Sequence, residues 1–266
     1  MDEAICIASS SGDINLVRYL VSIDANIHIN HDEPFRAAAE CGHLKLVKYL
    51  VYLGSDVRAR GDYAIYWAVF NGHLDIVKYL VKKGADVSSK NNIAVRIAAL
   101  HGHLEIVQYL VENGADIHVS NEYALLMASE SGHLDVVQYL ASLCTDIRNI
   151  NDAIYWASAK GHLHIVKYLV SLGGDVHGSG NPLQWPLANG HFEMVKYLAE
   201  QGVSTETVDG KCLEYLKFCD KMKAKAQKKI YFWWIPICYD MSHPSGCGKR
   251  MAKHSLEAYN KIINNQ

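Results

Sequence analysis

The sequence lacks the features that mark several large classes of protein. Its seven cysteines include no C-x-x-C pair, so neither a paired zinc motif nor a redox dithiol is indicated. Its longest apolar and aromatic run, residues 230–239, is about half of the ~20 residues that a membrane-spanning helix needs. A charge excess is also lacking, because 26 basic residues stand against 28 acidic ones and a general nucleic-acid binder is strongly basic. We therefore expect no transmembrane segment and no nucleic-acid partner.

A secretory signal is lacking as well. The opening residues, MDEAICIASSSGD, have no basic stretch followed by an apolar one. The unpaired cysteine spacing also suits a reducing compartment. We expect an intracellular protein, and its 266 residues, half of them hydrophobic, are enough to bury a large core.

What the sequence does contain is an internal repeat. The phrase G-H-L-x-x-V-x-Y-L recurs seven times with spacings of 30, 30, 30, 30, 29 and 29 residues. The opening glycines are Gly12, Gly42, Gly72, Gly102, Gly132, Gly161 and Gly190, called the central glycines below. Such a period is typical of a solenoid built from one supersecondary unit per repeat.

Each repeat is predicted to hold two antiparallel helices. Leu74, Val77 and Leu80 show the spacing of an amphipathic second helix, and a glycine such as Gly84, twelve residues after the central one, is suited to end it. An alanine-rich stretch before each central glycine predicts a first helix, with a small residue where neighbouring helices approach. The acidic or amide residue ten places before the glycine suits an N-cap. Pro186 predicts a short or kinked first helix in repeat seven.

These residues resemble the ankyrin repeat family over residues 1–204. The resemblance implies an all-α, ankyrin-type solenoid of seven short repeats. The period is about three residues shorter than the ~33 of that family, and the loss falls where the β-hairpin finger lies, so short fingers are expected. The T-P-L-H tetrapeptide is eroded, and its histidine place holds Tyr66 and Arg96 in repeats three and four. The K-Y-L second helix and the 30-residue period look like ankyrin proteins of giant amoebal, mimivirus-type DNA viruses.

The C-terminal residues 205–266 differ from the repeats. They carry eleven basic and six acidic residues, whereas residues 1–204 carry 15 and 22. Two helical stripes flank an aromatic run that contains Trp233 and Trp234. We expect a helical cap on the last repeat, and the aromatic run leaves open recruitment of a second partner.

The sequence offers weak candidates for chemistry. Cys238, His243, Cys247 and His254 include zinc ligand types, but no close cysteine pair opens the set, so we expect no metal site and no cofactor. The histidine after each central glycine recurs once a repeat, which favours a structural role at the turn between the helices. Trp67, Trp156 and Trp185 share one place and are predicted to be core residues.

Ankyrin repeat proteins use their concave face to bind other proteins, and the resemblance implies the same here. The two positions before the central glycine differ from repeat to repeat, while the residues that flank them are alike. Phe70 and Leu100 would form an apolar anchor for a partner at these positions, or else pack on their neighbours. The remaining candidate binding residues are Glu40, Asn71, His101, Glu130 and, on the fingers, Arg58, Arg60, Lys90 and His118.

These observations predict a non-enzymatic scaffold that binds an unidentified partner protein, expected to be a host protein. The alternative is an adaptor that holds a target on the repeats and recruits a second machine, such as a ubiquitin ligase, through residues 205–266. An enzyme is the least favoured class, since no set of nucleophile and base is visible. The sequence does not indicate an oligomeric state.

Overall fold

The two predicted helices are present in every repeat of the computed structural model, which describes residues 2–144, 146–178 and 182–204. The first helices are α1 (Asp2–Ser11), α3 (Ile29–Glu40), α5 (Ala59–Phe70), α7 (Ser89–Leu100), α9 (Val119–Ser131), α11 (Ile147–Lys160) and α13 (Gln184–Ala188). The second helices are α2 (Ile14–Ser22), α4 (Leu44–Tyr52), α6 (Leu74–Lys82), α8 (Leu104–Glu112), α10 (Leu134–Leu143), α12 (Leu163–Ser171) and α14 (Phe192–Glu200). The described residues contain no strand, and the predicted all-α repeat solenoid is confirmed.

First helices pack closely on one another along the stack. Adjacent first helices contact each other more extensively than adjacent second helices do. The alanine four residues before the central glycine is at most 1% exposed in six repeats, as Ala8, Ala38, Ala68, Ala98, Ala128 and Ala157. Because a larger side chain would overpack this contact at a cost of about 1–3 kcal/mol, the alanines determine how closely the repeats stack.

The second helices bury one apolar stripe and end at a glycine. In α6 the stripe consists of Ile76, Val77 and Leu80, all within 1% of full burial. Gly84 then takes a φ of 94°, and the next N–H, of Ala85, donates to the Leu80 carbonyl. A left-handed residue after the last turn is a common helix end, so the predicted role of this glycine is confirmed.

A left-handed turn, rather than a β-hairpin, leads into the first helices of repeats two to four. In α5 the three residues Arg60, Gly61 and Asp62 have φ values of 56°, 71° and 62°. The equivalent residues of α3 and α7 behave in the same way. The expected short finger is thus a single turn, and it places Arg60 at its exposed tip.

The residue ten places before the central glycine joins two repeats. Asp62 is 2% exposed, and its Oδ1 accepts from the backbone N–H of Asp86, 2.9 Å away in the next turn. Asp32, Asn92 and Asn151 accept from Asp56, Asp116 and Asp175 in the same way. The predicted N-cap is therefore wrong for these residues, because the side-chain oxygen bonds the following repeat.

Repeats six and seven depart from this pattern. The 29-residue spacing removes the left-handed turn from α11, which runs for 14 residues from an Asp146 cap. Cys144 stands where other repeats have the terminal glycine, and burial raises the pKa of its thiol to about 12. In repeat seven α13 has only five residues. Pro186 lies in its first turn, where a missing N–H is tolerated, so the predicted short helix is confirmed.

The predicted cap, residues 205–266, lies outside the described residues. Within the part of the chain that is described, none of the helices is long and apolar enough to cross a bilayer.

Candidate interaction surface

A histidine and a glycine form the joint between successive repeats. The Nε2–H of His103 donates to the Phe70 carbonyl, 3.2 Å away in the preceding repeat. Its ring lies over Gly72, where an added Cβ would stand 2.8 Å from the nearest ring atom. The same bond joins His43 to Ser10, His73 to Glu40, His133 to Leu100 and His162 to Glu130. The predicted structural role of these histidines is confirmed, and it is a role between repeats.

The first repeat has a different residue at the histidine place. The equivalent residue there is Asp13. The Asp13 carboxylate instead caps α2 by accepting from the backbone N–H groups of Asn15 and Leu16. In repeat one this place therefore carries a helix cap, whereas the histidines of repeats two to six bond the preceding repeat.

These joints present one row of predicted site residues at regular intervals. The carbonyl that accepts the histidine bond belongs to Glu40, Phe70, Leu100 and Glu130 in repeats two to five. The histidine of the next repeat fixes the backbone of this residue. Each of these repeats therefore presents one side chain of the row at the same backbone position. Phe70, Leu100 and Glu130 are half-buried, and Glu40 is exposed.

Phe70 belongs to an aromatic strip along α5. The strip comprises Tyr63, Tyr66, Trp67 and Phe70, all half-buried, with successive ring centroids 5.2–5.9 Å apart. His101 of the next repeat extends the strip, with its ring centroid 4.4 Å from that of Phe70. Burial and the neighbouring His103 and His133 lower the pKa of His101, so its ring is neutral at pH 7.

The other predicted residues of this row serve the stack or pair with one another. Asn71 is exposed, but its Nδ2 donates to the carbonyls of Glu40 and Trp67 at 3.0 and 3.2 Å. The Glu130 carboxylate forms an ion pair with Lys160, 3.1 Å away in the next repeat. The structure brings Phe70 against His101, and Asn71 contributes to the joint between repeats.

Two of the predicted finger residues bind the buried acids of the turns. Arg58 forms ion pairs with Asp62 and Asp86 at 3.3 and 3.1 Å. His118 donates from Nδ1 to the buried Glu122 carboxylate at 3.1 Å. Because an unpaired buried carboxylate is costly, Arg58 compensates the charge of Asp62, and His118 gives Glu122 a hydrogen-bond partner.

Arg60 and Lys90 are the finger residues that remain available to a partner. Both are exposed and both lie beside the Tyr63 ring, with Lys90 Nζ 4.0 Å and Arg60 Cζ 5.7 Å from its centroid. No carboxylate of the described residues lies within 4 Å of either cation. The two cations therefore flank one end of the aromatic strip.

Four residues of this surface were missed by the analysis of the sequence. Tyr63 and Tyr123 lie nine residues before the central glycine of their repeats, and Tyr66 and Arg96 lie six residues before it. Arg96 Cζ lies 4.6 Å from the Tyr123 ring centroid, and its buried Nε has no hydrogen-bond partner among the described residues. Variation in a fixed frame, the same signal that indicated Phe70, is present at both places.

The prediction that the tryptophans are core residues is wrong. Trp156 is 41% exposed and Trp185 is 45% exposed, while Trp67 is half-buried in the aromatic strip. The Trp185 Nε1–H donates to the Tyr155 hydroxyl at 2.6 Å. The place lies at the edge of the first-helix face, where a large ring covers its neighbours and keeps one side in solvent.

The described repeats contain no group of three or more histidine, cysteine, aspartate or glutamate residues that could hold a metal ion. The weak zinc candidate of Cys238, His243, Cys247 and His254 lies outside the described residues.

Comparison with known proteins agrees with the repeat pattern. A family model described as "Ankyrin repeats (3 copies)" matches residues 5–91, 37–121, 89–151 and 125–209. No curated protein matches the chain.

Proposed function

This chain belongs to the ankyrin repeat family, and we propose that it binds a partner protein through the exposed face of its first helices in repeats three to five. Ankyrin repeats are in general protein interaction modules, and the proteins that contain them are typically non-enzymatic scaffolds. The observation that supports this face is the half-exposed aromatic strip from Tyr63 to Phe70. In the family such a face is concave, and the proposal adopts that geometry.

The strip is suited to binding because it combines aromatic area with a fixed backbone. Tyrosine and tryptophan contribute contact area at a low cost in side-chain entropy. The joints formed by His73 and His103 fix the backbone at the two neighbouring layers, so a partner meets a preorganised surface. The second helices present lysines and tyrosines in a repeating pattern, with fewer differences between layers. A distinctive partner is therefore expected on the first helices.

The test replaces the proposed anchor. The variant F70S with L100S is compared with the full chain in affinity capture from amoebal lysate, with thermal unfolding measured on both. The proposal predicts that one or more partners are lost while the melting temperature changes little. A large loss of stability would show that Phe70 and Leu100 serve packing. In that case Y66S, which leaves both residues in place, is used for the capture.

The matched control is Y52S with L172S. Both residues are exposed at the ends of second helices, with Tyr52 84% and Leu172 43% accessible. The control variant removes two exposed apolar side chains from the ends of second helices and leaves the first helices unchanged. Partner loss in the control as well would contradict binding through the first helices.

A second function is an adaptor, which residues 205–266 would complete. Its support is the sequence of that segment, with a net charge of +5 and the aromatic residues Trp233 and Trp234. Removing residues 205–266 tests it, with folding checked by circular dichroism. Loss of one partner with retention of another supports the adaptor, and unfolding supports a cap.

The origin and location of the protein are part of the proposal. The 30-residue period and the K-Y-L second helix support an origin in a giant amoebal DNA virus, with the protein acting inside the host cell on a host partner. Immunofluorescence of infected amoebae tests this. Signal confined to the cell exterior would contradict it.

A further inference from the structure

We propose that the first-helix face of repeats three to five selects an acidic peptide segment that also carries an aromatic or aliphatic side chain. This inference rests on the proposed function and names the chemistry of the partner. It follows from the charges that remain uncompensated around the aromatic strip.

The cations that flank the aromatic strip are not neutralised by a carboxylate of the described residues. Arg60, Lys90 and Arg96 have none within 4 Å among the described residues, whereas Arg58 pairs with both Asp62 and Asp86. The Glu130 carboxylate nearby is neutralised by Lys160. Glu40 in repeat two and Asp116 in the turn before α9 are exposed acids of the neighbouring layers. The turns and first helices of repeats three and four thus present three cations without a carboxylate partner, although residues 1–204 carry a net negative charge.

The three cations are held by aromatic rings. Arg60 and Lys90 both lie beside the Tyr63 ring, and Arg96 Cζ lies 4.6 Å from the ring centroid of Tyr123. A ring shields a cation from water on one side and limits its motion. A carboxylate that approaches from the open side therefore meets a partly dehydrated and positioned cation, which favours a charge-assisted hydrogen bond.

The apolar side chain of the peptide would contact a different part of the face from its carboxylates. Tyr66 and Phe70 stack with ring centroids 6.5 Å apart, and His101 closes the far end of the strip. The His101 ring adds an aromatic edge there. A side chain such as phenylalanine or leucine would cover this strip, while carboxylates contact Lys90 and Arg96.

A nucleic acid fits this face less well than an acidic peptide. Residues 1–204 carry 22 acidic residues against 15 basic ones, and such a surface repels an extended polyanion beyond the three cations. A short segment with a few carboxylates needs only the local charge. The C-terminal residues 205–266 are themselves basic, so charge complementarity favours a segment of another protein.

The experiment screens a phage-displayed library of short random peptides against the full chain. The enriched peptides are expected to be rich in aspartate and glutamate and to contain phenylalanine, tryptophan or leucine. One enriched peptide is then labelled, and its Kd is measured at low and high salt. The proposal predicts weaker binding at high salt, because the contacts are partly exposed ion pairs.

Charge reversal locates the contact. The variant K90E with R96E is expected to weaken the labelled peptide about tenfold or more. The control K45E with K82E makes the same change in net charge on exposed lysines of second helices and should leave the Kd unchanged. A single-stranded oligonucleotide serves as a second probe and is expected to bind weakly.

Three results would overturn the proposal. They are enriched peptides without acidic residues, equal losses in both charge-reversal variants, and tighter binding of the oligonucleotide than of any peptide. The Y66S variant separates this inference from the proposed function. If enriched peptides lose binding in Y66S but not in K90E with R96E, the face binds a partner but does not select acidic residues. If neither variant affects binding, both proposals fail.

Discussion

At the scale of single residues, the joint between repeats depends on two side chains that meet across layers. The central glycine has a left-handed backbone and no Cβ, and the histidine of the next repeat uses the space above it. Pattern analysis could locate both residues but could not pair them. The pairing involves a residue 31 positions away, and only the stacking geometry brings the two together.

Replacing a central glycine should cost more than replacing a glycine that ends a second helix. In Gly72→Ala the new Cβ meets the His103 ring, whereas in Gly84→Ala nothing lies within 4 Å. We expect about 1–2 kcal/mol of backbone strain in both variants and about 1–3 kcal/mol more in Gly72→Ala from overpacking. Urea unfolding of the two variants measures the difference. Equal losses of unfolding free energy in the two variants would show that the His103 ring moves aside without an energetic cost.

Stability should fall as the pH decreases below neutral. Burial is the main cause that lowers the pKa values of His101, His162 and His191. Their folded pKa values lie below the unfolded value of about 6.5, so the unfolded chain binds more protons near that pH. The stabilisation is complete above about pH 6.5 and is lost as the pH falls through the folded pKa values.

The melting temperature at about pH 7.5 and about pH 5.5 measures this effect. Replacing the three histidines by glutamine should reduce the dependence of the melting temperature on pH. A melting temperature that rises on acidification would contradict the account.

At the scale of elements, the 30-residue period is long enough for two helices and one left-handed turn. The turn replaces a hairpin, and its buried acid bonds the turn of the next repeat. The sequence indicates a capping residue at this place, because aspartate and asparagine favour both caps and left-handed conformations. The distinction depends on where the next repeat lies, which local propensity does not describe.

Asparagine should replace Asp62 better than alanine does. Asp62→Asn keeps an acceptor for the Asp86 N–H, as Asn92 does for Asp116, but loses the ion pair with Arg58. Asp62→Ala leaves the N–H without its acceptor, at a further cost of about 1–3 kcal/mol. Chemical denaturation of both variants is the measurement. If Asp62→Asn is as destabilised as Asp62→Ala, the ion pair dominates and the hydrogen bond contributes little.

At the scale of the whole molecule, the repeat pattern predicted the fold, while the surface required the structure. Seven similar phrases specify the helix pairs, the buried alanines and the terminal glycines. Phe70 was indicated because its position varies among repeats whose flanking residues are alike. Its contact with His101, and the contact of Lys90 with Tyr63, join residues of different repeats, so they could be seen only in the structure. Trp156 was expected in the core because the family has leucine there, and a larger ring at the edge of the face remains partly in solvent.

Photo-crosslinking tests whether the first-helix face contacts the partner protein. The photoreactive amino acid p-benzoylphenylalanine is placed in the full chain at Tyr66, and in a control chain at the exposed Tyr52 of α4. Both chains are irradiated in amoebal lysate. A discrete covalent adduct is expected from position 66 and none from position 52. An adduct from position 52 alone, or none from position 66, would contradict partner binding through the first helices.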